Sequence, residues 1–272
     1  FQSIWHLLKF SKKNTLVFST GGFVSVPVVV AAKLTGKKIF IHEQTTRVGL
    51  ANKICSKFAD KVFVSFEESL QFFPKEKVEW SGYPLRDAIY SLEVKNISIH
   101  DIKINDVQKP ILFITGGGNG SKLLNDLIKN SLKELSEKYF IVHQVGKAFI
   151  EEYGQFKSTS YIPLAFVGEE MIDLYKLSSV IFSRAGAGTV CELIALKKKS
   201  IFIPLKIAQK NEQYHNAIAA KEACGSIVLE EKDLHSTDII TLLDKVSMDH
   251  AIIDSDSKFP NGTKNLISNI DK

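Results

Sequence analysis

The chain has 272 residues, of which 44% are hydrophobic and 24% charged, with a formal net charge of +5 at pH 7. That length allows a large core and two domains, and that composition excludes a fibrous, low-complexity or natively unfolded chain. No apolar run reaches the ~18–20 residues of a membrane span, and no signal-peptide pattern is read at the start.

The first residue is Phe1, and the chain enters at once on a helical pattern, so the start of the protein is expected to be missing. FQSIWHLLKFSKK places Phe1, Ile4, Trp5 and Leu8 on one helical face and adds Lys9, Lys12 and Lys13. Such a stripe either packs on a sheet or docks on a membrane surface. Residues 1–90 carry thirteen Lys or Arg against seven Asp or Glu, a net of +6, which leaves the other 182 residues near −1. A basic surface of this kind meets an anionic partner. No nucleic-acid motif accompanies it, so membrane head groups are favoured over nucleic acid.

One unit then recurs along the chain. Leu16-Val17-Phe18 leads into Thr20-Gly21-Gly22 and a helix ending near Gly36; short apolar strands follow at IFIHE (39–43) and KVFVSF (61–66). Pro84 closes this set. The mixed-charge stretch between Arg86 and Lys109 has no sustained period and reads as a linker over 88–107. Ile111–Ile114 then runs into Thr115-Gly116-Gly117-Gly118 and a helix predicted over 122–138. Further strands are read at YFIVHQVG (139–146), Val180–Phe182 and SIFIPL (200–205). Val180–Phe182 opens onto Arg184-Ala185-Gly186-Ala187-Gly188 and a helix through Leu196. Apolar strands alternating with helices predict parallel βαβ units in an α/β fold. The division expected is a first half over 1–87, a second over 108–255, and a closing helix within 256–272.

All three glycine loops fall at strand ends that feed helices, where parallel sheets bind ligands. Glycine lets backbone N–H groups approach an anion, and the helix dipole favours negative charge there. A nucleotide or phosphorylated ligand in a cleft between the halves is therefore expected. ILFITGGGNGSKLL (111–124) is not a Walker loop, because Ser121-Lys122 follows Gly120 in place of Lys and then Ser or Thr. The three cysteines, Cys55, Cys191 and Cys224, form no Cys-x-x-Cys pair. Neither a disulfide framework nor a zinc site is expected, and a reducing cytoplasm fits.

FSRAGAGTVCEL (182–193) is the most informative stretch. Thr189-x-x-Glu192 has the spacing of a capping box, so Glu192 caps the helix on one reading. On the other, its two carboxylate oxygens accept both hydroxyls of a ribose whose diphosphate lies on the Gly186–Thr189 amides.

RAGAGTVCE resembles the R-S-G-A-x-T-x-x-E signature of the MurG family of glycosyltransferases, and other motifs agree in order. TGGFVSVP (20–27) is similar to G-G-Y-V-S-x-P, and IHEQ with GLANK (41–53) to H-E-Q-N-x-x-x-G-x-x-N-K. SGYPLR (81–86) is similar to G-N-P-V-R, and TGGGNGS (115–121) to G-G-S-Q-G-A. IPLKIAQKNEQYHNA (203–217) resembles a Gln-rich stretch ending in N-A. The resemblance implies a GT-B fold of two Rossmann-like domains facing a cleft, the first incomplete. It implies inverting transfer of GlcNAc from UDP-GlcNAc to the C4 hydroxyl of an undecaprenyl-pyrophosphoryl-MurNAc-pentapeptide in peptidoglycan synthesis. Other GT-B enzymes, namely diacylglycerol glycosyltransferases and UDP-GlcNAc 2-epimerase, are alternatives, as is a non-catalytic nucleotide-sugar-binding remnant.

By motif position, the resemblance implies that Gly186, Ala187, Gly188 and Thr189 meet the diphosphate and sugar, with Arg184 in the same signature and Glu192 on the ribose. Gln213 would bind the GlcNAc hydroxyls, Gly168 would lie beside the uracil, and Arg86 would reach the donor. Gly117, Gly118 and Asn119 would face the diphosphate. His42 and Glu43 are candidate proton acceptors, although a structural strand-end pair is the plainer reading. Thr45, counted with the donor-binding residues, stands where the family has asparagine, and Gly118 stands where it has serine. The family's opening G-G-T-G-G-H loop has no counterpart, so ~60 residues are expected to be missing in front, at ~30 per βαβ unit. No obligatory cofactor and no metal ligands are implied. The expected partners are UDP-GlcNAc, a lipid-linked acceptor and other cell-wall synthesis proteins, at the cytoplasmic face of a bacterial membrane.

Overall fold

The computed structural model describes residues 2–10, 14–208, 211–248 and 259–270. Phe1, Lys12 and Lys13 of the opening stretch lie outside the described residues, as does the expected boundary near 255. The chain divides into two compact units, one formed by Phe1–Leu85 with Phe259–Lys272 and the other by Arg86–Lys258.

The first unit begins with α1 (Gln2–Leu8), followed by β1 (Leu16–Ser19), α2 (Ser25–Leu34), β2 (Lys38–Glu43), α3 (Leu50–Cys55), β3 (Lys61–Val64) and β4 (Val78–Trp80). The strands form one parallel sheet in the order β1-β2-β3-β4. Successive side chains on a strand face opposite sides, so each buried strand serves two cores. Ile39 and Ile41 of β2 and Val62 and Val64 of β3 pack with Val29, Ala32 and Cys55 of the flanking helices. Phe40 and Phe63 point the other way, with their rings 5.5 Å apart.

The second unit opens on a hairpin of β5 (Ser98–Ile99) and β6 (Ile102–Lys103) within the stretch read as a linker. Lys176 ties that stretch down, donating to the carbonyls of Ala88, Ser91 and Glu93 at 2.8, 2.9 and 3.0 Å. Next come β7 (Ile111–Thr115), α4 (Lys122–Asn130), α5 (Leu132–Lys138), β8 (Phe140–Gln144), α6 (Ile150–Gly154), β9 (Tyr161–Leu164) and α7 (Met171–Leu177). They are followed by β10 (Val180–Ser183), α8 (Ala187–Ala195), β11 (Ile201–Phe202), α9 (Glu212–Cys224), β12 (Ile227–Val228) and α10 (Ile239–Met248). The helix predicted over 122–138 is two helices. Asn130 and Ser131, whose short polar side chains compete for the backbone, mark the break, with Ser131 at φ −109° and ψ 8°.

This sheet is also parallel throughout, in the order β12-β11-β10-β7-β8-β9. The chain starts in the middle, winds outward through β8 and β9, then returns beside β7 and winds the other way. The reversal lies between β7 and β10, the position where doubly wound sheets open a crevice at the carboxyl ends of their strands.

The closing helix α11 (Gly262–Ile270) belongs to the first unit and covers the Phe40 and Phe63 face with Leu266. Asn265 Nδ2 donates to the Ser81 carbonyl at 2.8 Å, and Asn269 bonds both Lys61 and Glu79. Gly262 permits the close approach: a Cβ there would sit 2.3 Å from the Tyr83 backbone.

Candidate functional site

Thr115 ends β7, Arg184 directly follows Ser183 at the end of the neighbouring β10, and the Arg184 N–H donates to the Thr115 carbonyl at 3.2 Å. Both glycine loops therefore leave the sheet from adjacent points at the switch position. On the β7 side, Gly117 sits at φ +83°, a left-handed conformation that favours glycine. Gly118 and Asn119 are exposed, and a Cβ on Gly117 or Gly118 would meet nothing within 4 Å. The loop closes on Ser121, whose hydroxyl caps α4 by accepting from the Leu124 N–H.

On the β10 side, Gly186 is the extended residue before α8, and its carbonyl accepts the first helical bond, from Val190 at 3.0 Å. The N–H groups of Ala187, Gly188 and Thr189 then have no partner within the helix and lie at its positive end. Gly186 to Thr189 are half-buried, so these donors stay within reach of a ligand.

Glu192 follows one turn into α8, with its side chain 14% exposed. Burial pushes its carboxyl above the ordinary glutamate range, while Arg86 and Tyr175 pull it back. Arg86 Nε stands 4.0 Å from Glu192 Oε1, and its Nη1 donates to the Gly168 carbonyl at 3.2 Å. The structure thus brings Arg86, Gly168 and Glu192 together beside the α8 amino end. The Tyr175 hydroxyl interacts with both Glu192 and Thr189, and its ring packs against Phe113 with centroids 5.7 Å apart.

Arg184 points into the unit and is 8% exposed. Its Nε donates to Ser121 Oγ at 3.1 Å, and its Nη1 reaches Glu231 at 2.7 Å and the carbonyls of Ile203 and Pro204 at 3.2 and 3.4 Å. These bonds tie the two glycine loops to the loops after β11 and β12. Gln213 Oε1 accepts from the Leu205 N–H at 3.0 Å, which sets the side chain against the same β11 loop.

Three contributors lay outside the residues picked from sequence. Gln144 holds the Gly117 carbonyl and the Val167 N–H, each at 2.8 Å. Asn216 donates to the Ala185 carbonyl at 3.2 Å, and the Tyr175 hydroxyl interacts with Glu192. Only Asn216 had a signal, at the end of the Gln-rich motif.

In the first unit, His42 and Glu43 end β2 and are 1% and 4% exposed. Glu43 accepts from the Thr45 N–H and hydroxyl at 3.2 and 3.0 Å, from the Gly49 N–H at 3.2 Å and from Asn52 Nδ2 at 3.0 Å. His42 Nε2 lies 3.2 Å from the Gly82 carbonyl and 3.3 Å from Ser65 Oγ. Burial lowers the His42 pKa to about 4, and the ring is neutral at pH 7. This geometry ties the loop after β2 to the first turn of α3, with the Thr45 hydroxyl on Glu43.

Asp254-Ser255-Asp256 is an Asp-x-Asp spacing and lies outside the described residues. Among the described residues, no three His, Cys, Asp or Glu side chains gather for a metal. No helix among them is long and apolar enough to cross a membrane.

Comparison with known proteins gives a consistent picture. Residues 4–64 match the glycosyltransferase family 28 N-terminal domain, and residues 111–270 match the family's C-terminal domain. A UDP-N-acetylglucosamine–N-acetylmuramyl-(pentapeptide) pyrophosphoryl-undecaprenol N-acetylglucosamine transferase of Clostridium tetani is 37% identical over 96% of this chain and 73% of its own length. Its counterpart in Clostridium botulinum strain Hall is 35% identical over 96% and 74%. Among solved structures, MurG of Acinetobacter baumannii superposes with a TM-score of 0.74 at 24% identity, covering 99% of this chain and 77% of that one. A UDP-GlcNAc 2-epimerase of Methanocaldococcus jannaschii gives 0.62 at 12%, covering 99% and 79%. These two likenesses speak for the GT-B fold alone.

Proposed function

The chain belongs to glycosyltransferase family 28, and on that premise we propose that it transfers GlcNAc from UDP-GlcNAc to the C4 hydroxyl of MurNAc on an undecaprenyl-pyrophosphoryl-linked muramyl-pentapeptide. The observation that carries this reading is the switch point of the second unit. There the unpaired amides of α8, the carboxylate one turn beyond them and the Gly117 loop converge at two adjacent strand ends.

Each group has a chemical task in that reading. The amides at Ala187, Gly188 and Thr189 take up charge as the diphosphate departs, an electrostatic role filled by backbone and helix dipole. Glu192 accepts the two ribose hydroxyls side by side, and Gln213 reads the sugar. Gly168 presents backbone to the uracil, with Arg86 spanning from it to Glu192. Gly117, Gly118 and Asn119 form the opposing wall as a backbone contact, since Gly118 supplies no hydroxyl. The acceptor oxygen attacks the anomeric carbon in one displacement, with inversion. No obligatory cofactor enters; UDP-GlcNAc is a substrate.

The lipid-linked acceptor calls for work at a membrane surface. The basic first unit, with Trp5, Leu8, Phe10, Phe23 and Val24 exposed, is suited to that task.

The test is transfer of radiolabelled GlcNAc from UDP-GlcNAc to a lipid-linked muramyl-pentapeptide analogue, by this chain and by one extended to its relatives' length. A labelled disaccharide on the lipid is expected from the extended chain. Epimerised sugar, or transfer to diacylglycerol in its place, would overturn the reading.

A further inference from the structure

Gln144 closes β8 and is 1% exposed, yet its amide is engaged at both ends. Its Nε2 donates to the Gly117 carbonyl at 2.8 Å and to Thr115 Oγ1 at 3.3 Å, and its Oε1 accepts from the Val167 N–H at 2.8 Å. The Gly117 carbonyl accepts a second bond, from the Gly120 N–H at 3.0 Å. Two donors therefore draw that carbonyl into the unit. A trans peptide is planar, so its N–H points opposite to its C=O. The N–H of Gly118 consequently faces away from Gln144, in a loop whose Gly117 and Gly118 Cβ positions are open space.

We propose that Gln144 is a positioning residue for the donor diphosphate: by anchoring the Gly117 carbonyl, it holds the Gly117–Gly118 peptide with the Gly118 N–H turned toward the anion. The inference deepens the donor reading above and rests on it. The glycine at 117 makes the peptide easy to turn, because neither orientation meets a Cβ. Turned the other way, the loop would present a carbonyl oxygen to a phosphate and repel it. Gly118 has no hydroxyl to offer, so the direction of this one N–H decides whether the loop attracts or repels. The same side chain fixes Val167, next to Gly168, and so sets the phosphate and base ends of the site against one another.

The test compares UDP with uridine, by calorimetry for UDP and ligand-observed NMR titration for uridine, on the full chain and on Gln144→Glu and Gln144→Met. Gln144→Glu keeps an acceptor for the Val167 N–H but loses the donor to Gly117. UDP affinity is expected to fall about tenfold or more, the scale of a charge-assisted hydrogen bond, while uridine affinity changes less than threefold. Gln144→Met carries no charge to bury and decides the matter if Gln144→Glu does not fold; it too should lower UDP binding more than uridine binding. Calorimetric stoichiometry reports the folded fraction separately. An unchanged ratio of UDP to uridine affinity in the folded variant would overturn the inference and leave the donor reading intact. Failure of the unsubstituted chain to bind UDP would overturn both.

Discussion

Arg86 Nε stands 4.0 Å from Glu192 Oε1 while the same guanidinium donates to the Gly168 carbonyl at 3.2 Å. One side chain therefore bridges the carboxylate read as the ribose acceptor and the loop read as the base platform. Arg86 is half-exposed, so the pair itself contributes little to stability. Its consequence is electrostatic: Arg86 opposes the burial that raises the Glu192 pKa.

A pH dependence follows. The diol needs an ionised carboxylate, so donor affinity falls as pH drops through the raised Glu192 pKa. Arg86→Ala removes the lowering influence and moves that fall to higher pH. Calorimetric titration of UDP between pH 5 and 8 measures it; a profile unmoved by Arg86→Ala would refute the coupling. Glu192→Ala should weaken UDP roughly 10–100-fold and lose the preference for ribose over 2′-deoxyribose, on the scale of hydrogen bonds to a charged group.

His42 gives a stability prediction with a definite sign. Its folded pKa, about 4, lies below the ordinary 6.5, so between those values the unfolded chain binds the proton and the folded chain does not. Its contribution is full above pH 6.5 and is lost as pH falls through 4, up to about 3 kcal/mol. Urea unfolding of His42→Gln should show a flatter slope in this window. His143, whose pKa burial lowers to about 3, contributes a slope of the same sign.

Arg184→Lys tests a role inside the unit. Lysine cannot reproduce the fork that reaches Ser121, Glu231 and two carbonyls at once. Losing hydrogen bonds to a charged group in this way should cost about 1.5–3 kcal/mol. The melting temperature should fall clearly, while UDP still binds to the folded fraction. A large loss of UDP affinity at unchanged stability would instead place Arg184 on the ligand.

Leu266→Ala should cost the first unit about 2–4 kcal/mol, the range for a buried leucine that packs across an interface of elements. Gly262→Ala should do comparable damage, because the new Cβ would meet the Tyr83 backbone at 2.3 Å. Native-state hydrogen exchange should show protection lost in β2 and β3 and retained in β7 and β8. Unchanged protection throughout would show that α11 is dispensable.

Lys9 stacks 3.5 Å over the exposed Trp5 ring. Lys9→Glu should weaken binding to vesicles containing anionic lipid several-fold, since a lysine near such a surface is worth about 1 kcal/mol. Equal binding by the variant would remove α1 from the membrane face.

Periodicity and turn chemistry alone placed β1, β2, β3, β7, β8, β10 and β11 and the glycine loops that follow β1, β7 and β10, because those signals are local. Short apolar runs between glycine and proline leave few conformations open, and parallel strands buried on both faces read as continuous hydrophobic stretches. The motif at 184–192 likewise marked the helix start and its carboxylate. Less was legible where strands were as short as β12, at two residues, or where Asn130 and Ser131 broke a helical pattern.

The order of strands, which sets the β7 loop beside the β10 loop, was not in any stretch of sequence. Nor was the return of α11 to the first unit, the inward turn of Arg184, or the reach of Gln144 from β8 to Gly117 and Val167. Each joins residues tens of positions apart or more, and a polar side chain shows only in three dimensions whether it faces water, a ligand or a carbonyl it must satisfy. The sequence determined which residues are able to hold a nucleotide sugar. The tertiary structure decided which of them are occupied with holding one another.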